Sequence, residues 1–283
     1  MIDLIGSAIS SLNIQDCGDR SMCERRPCRN SATCVDVSPT EYKCMCAAGF
    51  AGKDCSQQVT ICDTDDPCQN GAGCVALADG GYRCNCPLGF MGPSCEAAVQ
   101  LGRELEFRGN GYVEYNNNVF VHARNNVEEV VEITFRTSEP EGLLFWQGSP
   151  SDPLNHDYFY LTLIDGYLEY SYELGSGPMV ARSPMKVDDG FVHTARLTRR
   201  GQYGTFQIDD QQPARVQSSG RLQVLNTPGS VFLGGVPNLE VYTGNKFKKN
   251  FSGCVTKLEI KGREITVAEQ AQGGINVRPC LGY

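Results

Sequence analysis

Twelve of the chain's cysteines form two sets of six that repeat along the sequence. From the second cysteine of each set onward, every member has its counterpart 40 residues further along. The flanking text repeats too, since YKCMCAAGFAGKDC is followed by YRCNCPLGFMGPSC. A fixed spacing indicates two copies of one structural unit, each too short to bury an ordinary core without disulfides. The sets are Cys23, Cys28, Cys34, Cys44, Cys46 and Cys55, then Cys62, Cys68, Cys74, Cys84, Cys86 and Cys95.

Cysteine density and net charge narrow the class of protein. Thirteen of the 15 cysteines lie between Cys17 and Cys95, which is typical of small domains in an oxidising, extracellular compartment. The formal net charge of −8 disfavours nucleic-acid binding, which needs a concentrated basic face. The sequence has no apolar run of about 18 residues, so no insertion into a membrane is expected.

Spacing alone does not choose among the many pairings of six cysteines. Zinc binding is disfavoured, because C-x-C recurs without the second knuckle or the histidines that structural zinc sites use. The full spacing, with Gly-Phe before a late Gly, resembles the EGF-like module over residues 18–56 and again over 57–97. The resemblance implies the disulfides Cys23–Cys34, Cys28–Cys44, Cys46–Cys55, Cys62–Cys74, Cys68–Cys84 and Cys86–Cys95. It also marks Thr33 as an O-fucose acceptor, although a plain turn threonine is the alternative.

Residues 100–283 have a different character, with only two cysteines and many short alternating apolar runs. Runs such as GYVEY, EEVVEITFRT, GLLFWQG, DYFYLTLIDG, YLEYSYEL, HTARLTRR, YGTFQID and SVFLGG predict strands, and Gly, Pro, Asn and Asp separate them. No long helix is indicated, so a β-sandwich with a sizeable core is expected. The predicted core residues are Phe135, Leu144, Trp146, Phe159, Leu161, Leu163, Phe206, Ile208, Phe232 and Leu233.

The motifs FRTSEPEGLLFWQG, DYFYLTLIDGYLEY, SVFLGG and FSGCVTKLEI resemble the laminin G-like domain in the family's order. The resemblance implies a mainly β fold, a jelly-roll sandwich of two antiparallel sheets. It also implies that the disulfide Cys254–Cys280 joins the C-terminal tail to the sheet. The order of the modules resembles the C-terminal region of the perlecan family of basement-membrane heparan sulfate proteoglycans. Agrin-type matrix proteins share the modules and remain an alternative.

The laminin G resemblance implies a calcium ion on the rim of the sandwich, held by mixed oxygen ligands as calcium prefers. Asp157, which opens a strand, and Asn226, in a loop before another, match the family's side-chain ligands. The carbonyls of Leu174 and Val224 match its backbone ligands. The competing interpretation is that Asp157 caps a loop and Asn226 is an ordinary turn residue.

Two further surface sites are predicted from composition. Lys246, Lys248 and Lys249 form one basic cluster and Arg199 and Arg200 form another, which suits attraction of sulfated glycans, although a solvated basic face is the alternative. Asn250 begins the sequon Asn-Phe-Ser and is predicted to carry an N-glycan.

An enzymatic role is disfavoured, because no hydrolase, zinc-protease or phosphate-loop motif accompanies the three histidines, His122, His156 and His193. The resemblance instead implies a secreted protein of the extracellular matrix or basement membrane. It implies docking to dystroglycan-type glycans, integrins or other matrix proteins. A signalling ligand acting through the EGF-like modules and a hydrophobic-ligand carrier acting through the sandwich are the alternatives.

The first cysteine belongs to neither set of six. Residues 2–17 align without a gap with residues 265–280, so that Cys17 meets Cys280 and Asn13 meets Asn276. Residues 1–17 are therefore interpreted as the C-terminal remnant of a preceding laminin G-like domain. Cys17 is expected to be unpaired, since its counterpart of Cys254 would precede residue 1.

Overall fold

A computed structural model describes residues 21–119, 127–148, 157–227 and 229–280. The described residues form two compact units, with 21–66 and 78–80 in the first and the remainder in the second. Within these ranges no helix is long and apolar enough to cross a membrane. Cys17 and residues 1–17, predicted as a domain remnant, lie outside the described residues.

Disulfides and short hairpins build the first unit. The three disulfides implied for the first EGF-like module are present and confirm its pairing: Cys23–Cys34, Cys28–Cys44 and Cys46–Cys55. A 3-10 helix, Met22–Arg25, begins at a Ser21 cap. The elements that follow are β1 (Thr33–Ser38), β2 (Glu41–Met45), β3 (Phe50–Ala51), β4 (Gln57–Gln58) and α1 (Ile61–Thr64).

The second unit begins with most of the second EGF-like module. Cys68–Cys84 and Cys86–Cys95 are confirmed, and Cys62 and Cys74 are each disulfide-bonded. The bonded sulfurs form a small core against Phe90. The strands are β5 (Gly73–Ala76), β6 (Tyr82–Asn85), β7 (Phe90–Met91) and β8 (Ala97–Ala98).

The predicted β-sandwich follows, built from two large antiparallel sheets. One has the strand order β15-β14-β13-β12-β19-β10-β22 and the other β18-β17-β16-β11-β20-β9-β23, with β21 beside β20. The strands are β9 (Leu105–Arg108), β10 (Tyr112–Tyr115), β11 (Glu128–Arg136), β12 (Gly142–Gly148), β13 (Tyr158–Ile164), β14 (Tyr167–Glu173), β15 (Met179–Lys186), β16 (Val192–Arg200), β17 (Tyr203–Ile208), β18 (Ala214–Gln217), β19 (Val231–Leu233), β20 (Ser252–Ile260), β21 (Arg263–Glu264), β22 (Ala271–Ile275) and β23 (Arg278–Pro279). The helices are the 3-10 turn Asn117–Val119, α2 (Leu239–Thr243) and α3 (Val267–Gln270). Cys254–Cys280 is confirmed and joins β20 to the segment after β23.

Local sequence accounts for most of these strands. The β13–β14 hairpin turns at Asp165 and Gly166, both with positive φ, as a two-residue Asp-Gly turn requires. The sequence did not indicate β15, since Pro184 interrupts it. β15 is an edge strand of its sheet, and an edge position tolerates a residue that cannot donate to the ladder.

The predicted core residues are all buried, but they belong to two clusters. Eight of them pack between the sheets. Trp146 and Phe232 instead belong to a second cluster with Tyr158, Tyr160 and Phe247, which α2 helps to cover. Strands β12 and β13 are therefore buried on both faces.

Aromatic rings pack against one another between the sheets. Phe159 and Tyr170 have ring centroids 5.3 Å apart, and Tyr170 and Phe206 have theirs 5.8 Å apart. Aromatic pairs at such distances fill a core. The hydrophobic-carrier alternative, which needs an apolar cavity between the sheets, stays a prediction.

His193 is buried near the start of β16 and holds the turn before that strand. Its Nδ1 lies 2.8 Å from Asp209 Oδ2, and its Nε2 lies 3.0 Å from Asp189 Oδ1. The Asp189 carboxylate also accepts a hydrogen bond from the N–H of Phe191 at 2.9 Å. A carboxylate at each ring nitrogen favours the protonated imidazole.

The stability of the sandwich is expected to fall as pH rises through the pKa of His193. Burial lowers that pKa, but hydrogen bonds to Asp209 and Asp189 together raise it by more, to above the ordinary 6.5. The folded state therefore binds the proton more tightly than the unfolded state. The stabilisation is complete below the unfolded pKa and is lost as pH passes the raised folded pKa.

Thermal unfolding between about pH 5 and about pH 9 measures this effect. His193→Gln should flatten the slope of melting temperature against pH above neutrality. An unchanged slope in that variant would assign the pH dependence to other groups.

Candidate functional site

The predicted calcium ligands Asp157 and Asn226 come together at one rim of the sandwich. Asp157 immediately precedes β13, and Asn226 lies in the loop before β19. The backbone N–H of Asn226 donates a hydrogen bond of 2.6 Å to Asp157 Oδ2. Residues 69 positions apart in the chain are thus in direct contact.

Leu174 belongs to the same rim by strand register. Tyr158 of β13 pairs with Glu173 of β14, so the next residues outward, Asp157 and Leu174, lie across from each other at the open end of the hairpin. The Leu174 side chain is buried, which fixes this end of the hairpin. Val224 lies two residues before Asn226 in the same loop.

Glu173 orders the backbone beside this rim. One oxygen of its carboxylate, Oε1, accepts hydrogen bonds from the N–H groups of Gly175, Ser176 and Gly177 at 2.6, 2.8 and 2.9 Å. Three hydrogen bonds from consecutive backbone groups to one charged oxygen form a strong local anchor. The segment after Leu174 is thereby held in one conformation.

Arg199 is fully buried, so its prediction as a glycan-binding residue is wrong. It forms an ion pair with Glu129, which is itself almost fully buried. Its Nη1 donates hydrogen bonds to the carbonyl oxygens of Gly201 at 2.7 Å and of Gln223 at 2.9 Å. Arg199 faces inward because β16 alternates and places it on the same side as Ala195 and Leu197.

The contact with Gln223 gives Arg199 a role that the sequence did not indicate. Gln223 directly precedes Val224 in the loop that carries Asn226. Arg199 therefore anchors the loop that contains Val224 and Asn226. The period-two alternation of HTARLTRR was the available signal, since it places Arg199 among core residues.

The donor set at this rim suits a hard cation. A carboxylate at Asp157, a side-chain amide at Asn226 and carbonyl oxygens at Leu174 and Val224 are ligand types that calcium accepts. In the described part of the chain, no group of three or more His, Cys, Asp or Glu side chains is arranged to hold a metal ion. The predicted set does not depend on such a group, because two of its four ligands are backbone carbonyls. With one formal charge, the site would depend on water or a partner's oxygens for the remaining coordination.

The other basic residues remain at the surface. Lys248, Lys249 and Arg200 are exposed, and Lys249 Nζ lies 3.9 Å from Glu141. Lys246 Nζ lies 4.6 Å from the centroid of the Tyr160 ring and near two further rings. Partial burial over these rings lowers the pKa of Lys246. All three lysines of the predicted cluster are therefore at the surface, with Lys246 packed over aromatic rings.

The two predicted glycosylation residues differ in accessibility. The Asn250 side chain is turned toward Val236, accepting a hydrogen bond from its N–H at 3.1 Å and donating one to its carbonyl at 3.0 Å. One hydrogen of the Asn250 amide nitrogen is used in this contact, and N-glycosylation at Asn250 stays a prediction. Thr33 is exposed on β1, so O-fucosylation there stays a prediction.

The only described histidine is not arranged as a general base beside a nucleophile. His193 contacts carboxylates at both ring nitrogens, whereas a catalytic arrangement would place one nitrogen on a serine or cysteine. His122 and His156 lie outside the described residues.

Comparison with known families confirms the modules. The laminin G domain family matches residues 135–263, and the EGF-like domain family matches residues 23–54 and 62–94. Two structures of laminin chains share the fold of the sandwich. Domains LG4-5 of the mouse laminin alpha1 chain have a TM-score of 0.56 at 18% identity, covering 64% of this chain and 48% of that one. The LG1-3 region of the laminin alpha2 chain has a TM-score of 0.52 at 25% identity, covering 61% and 34%.

Several curated proteins are similar along nearly the whole chain. The basement membrane-specific heparan sulfate proteoglycan core protein of Mus musculus, perlecan, is 32% identical over 99% of this chain. The basement membrane proteoglycan of Caenorhabditis elegans is 34% identical over 92%. Human pikachurin is 30% identical over 91%. This chain spans only 8%, 6% and 22% of these relatives' own lengths.

Proposed function

Because this chain is a protein of EGF-like modules and a laminin G domain, similar over nearly its whole length to basement-membrane proteoglycan core proteins, we propose that it acts in adhesion within the extracellular matrix. The laminin G domain is the docking element for cell-surface receptors or their glycans, assisted by calcium. The observation that carries this proposal is the convergence of Asp157 and Asn226 at one rim.

The protein's share in docking is to hold oxygen ligands in place. Asp157, Asn226 and the carbonyls of Leu174 and Val224 would hold the ion, while Arg199 keeps their loop in place. A bound calcium ion would supply open coordination positions for acidic or hydroxyl oxygens of a ligand. Because those positions require oxygen donors, the proposed ligands are acidic or hydroxyl-rich glycans of the dystroglycan type. Integrins and other matrix proteins are proposed as further partners.

The disulfides support a secreted, extracellular location. Bonds such as Cys28–Cys44 and Cys68–Cys84 recur at the same sequence separation of 16 residues in both modules. Disulfide-dense modules of this kind form and persist in oxidising compartments. The names of the mouse and nematode relatives place those proteins in basement membranes.

Replacing Asp157 with alanine is expected to abolish stabilisation of the laminin G domain by calcium. A ligand that binds only the folded state raises the free energy of unfolding by about 2.7 kcal/mol at a hundredfold excess over its Kd. Wild type should therefore melt at a higher temperature in calcium than in chelator. Asp157→Ala should melt at one temperature in both solutions.

Asp210→Ala removes an exposed carboxylate outside the rim and is the matched control. It should keep the full calcium response. Equal responses in Asp157→Ala and Asp210→Ala would reject the rim site. Receptor-glycan binding that survives both chelation and Asp157→Ala would reject calcium-assisted docking while leaving adhesion by another surface.

A further inference from the structure

A cleft lies where the second EGF-like module meets the laminin G domain, inside the second compact unit. Its volume is about 470 Å³, within the range of about 300–1,000 Å³ that is typical of ligand sites. We call it the junction cleft. Its chemistry comes from Arg83, Arg108 and Arg278, from Asn110, and from an apolar group consisting of Phe90, Met91 and Pro93.

The junction cleft carries positive charge in a chain of net charge −8. None of the residues that line it is acidic. Arg108 is paired with Glu106, with Nε 2.9 Å from Oε1, and strand register also sets Arg278 across from Glu106. In the described ranges no carboxylate forms an ion pair with Arg83 or Arg278. One carboxylate, Glu106, faces both Arg108 and Arg278, so the cleft keeps a net positive charge to which Arg83 adds.

The two walls of the cleft are held together by Asn276. Its Oδ1 accepts a hydrogen bond from the Cys86 N–H at 2.9 Å, and its Nδ2 donates to Asn85 Oδ1 at 3.2 Å and to the Asn110 carbonyl at 3.0 Å. Its own N–H donates to the Cys86 carbonyl at 2.8 Å. Arg83 on β6 and Arg278 on β23 thus belong to walls in fixed contact, so a ligand need not order the cleft on binding.

We propose that the junction cleft binds an acidic peptide segment of an extracellular partner, with apolar side chains between its carboxylates. Guanidinium groups recognise carboxylates with paired hydrogen bonds. Phe90, Met91 and Pro93 offer apolar surface in the same cleft as Arg83 and Arg278. This site is separate from the calcium rim and does not depend on the function proposed for it.

The apolar lining favours a peptide over a sulfated glycan. A sulfated sugar carries charged and hydroxyl groups around its ring, and each one would need a polar partner in the cleft. A peptide in which acidic residues alternate with apolar residues can contact both the arginines and the apolar residues of the lining. A glycan remains as an outcome of the test.

The probe is a fluorescein-labelled hexapeptide in which glutamate and phenylalanine alternate. The full chain is titrated into it, and binding is followed by fluorescence anisotropy. Wild type should bind it, and binding should weaken with added salt because ion pairs are screened. Arg83→Ala and Arg278→Ala should each weaken binding by about tenfold, since each removes a hydrogen-bonded charge pair. Arg215→Ala, on the opposite edge strand β18 of the same sheet, should have no effect.

Three controls separate the outcomes. The same peptide with glutamine for glutamate should not bind, and chelator should not change binding, which distinguishes this site from the calcium rim. Unchanged melting temperatures will show that the variants fold. Equal affinity of wild type and the Arg83→Ala, Arg278→Ala double variant would overturn the proposal. So would binding of a heparin-derived tetrasaccharide through these arginines without binding of the peptide.

Discussion

Replacing Arg199 with methionine is expected to lower the free energy of unfolding of the laminin G domain by about 3–5 kcal/mol, because one member of a buried ion pair is left alone. Arg199 is fully buried and Glu129 is 4% exposed. Burial raises the pKa of Glu129, and Arg199 lowers that pKa in part. Urea unfolding followed by the fluorescence of Trp146, the chain's one tryptophan, reports on this domain.

Two further variants test the assignment. Arg200→Met changes the adjacent, exposed arginine and should alter stability by no more than about 0.5 kcal/mol. Glu129→Leu combined with Arg199→Met removes both charges and should recover most of the loss, as apolar replacements of buried ion pairs often do. If Arg199→Met lowered the free energy of unfolding as little as Arg200→Met, the buried ion pair would not exist.

The Arg199→Met variant is also expected to bind calcium more weakly than wild type. It loses the hydrogen bond to the Gln223 carbonyl, so the loop that carries Val224 and Asn226 loses an anchor.

Replacing Asn276 with glycine is expected to weaken the attachment of the second EGF-like module by about 2–4 kcal/mol. The substitution removes three side-chain hydrogen bonds and leaves the Cys86 N–H without its acceptor. Asn276 has a φ of 56°, so glycine keeps the backbone conformation without strain. Hydrogen exchange of the segment from Asn85 to Leu88 measures the effect, because these amides lie at the contact.

Asn245→Gly is the matched control. Asn245 has a φ of 62° and is exposed in the turn after α2. Its replacement should leave exchange at Cys86 unchanged. If Asn276→Gly also left that exchange unchanged, Leu88, which packs against the core of the sandwich, would be the main link.

Features of the candidate site that depend on local pattern could be predicted from the sequence. The motifs that contain Asp157 and Asn226 led to two residues that are in contact. The pair Arg199 and Arg200 looked like one basic cluster, yet neighbouring residues of a strand face opposite sides. The inward partner, Glu129, is 70 residues away along the chain, so no local pattern could identify it.

The attachment of the second EGF-like module to the laminin G domain also could not be predicted from local sequence. Asn276 lies 190 residues from Cys86, and nothing near either residue predicts their contact. The cysteine pattern predicts a separate module over residues 57–97. In the folded chain, Pro87 bridges Ile275 and Leu88 packs against the sandwich core.

The sequence by itself determined the repeated modules, the cysteine sets that bond within them, and most of the longer strands of the sandwich, because spacing and period-two alternation are local properties. Only the tertiary structure decided that Arg199 is interior, that Asn250 is turned into the fold, and that Arg83 and Arg278 face one cleft. Burial and charge compensation depend on which distant residues become neighbours. The pairing order of the two sheets determines those neighbours.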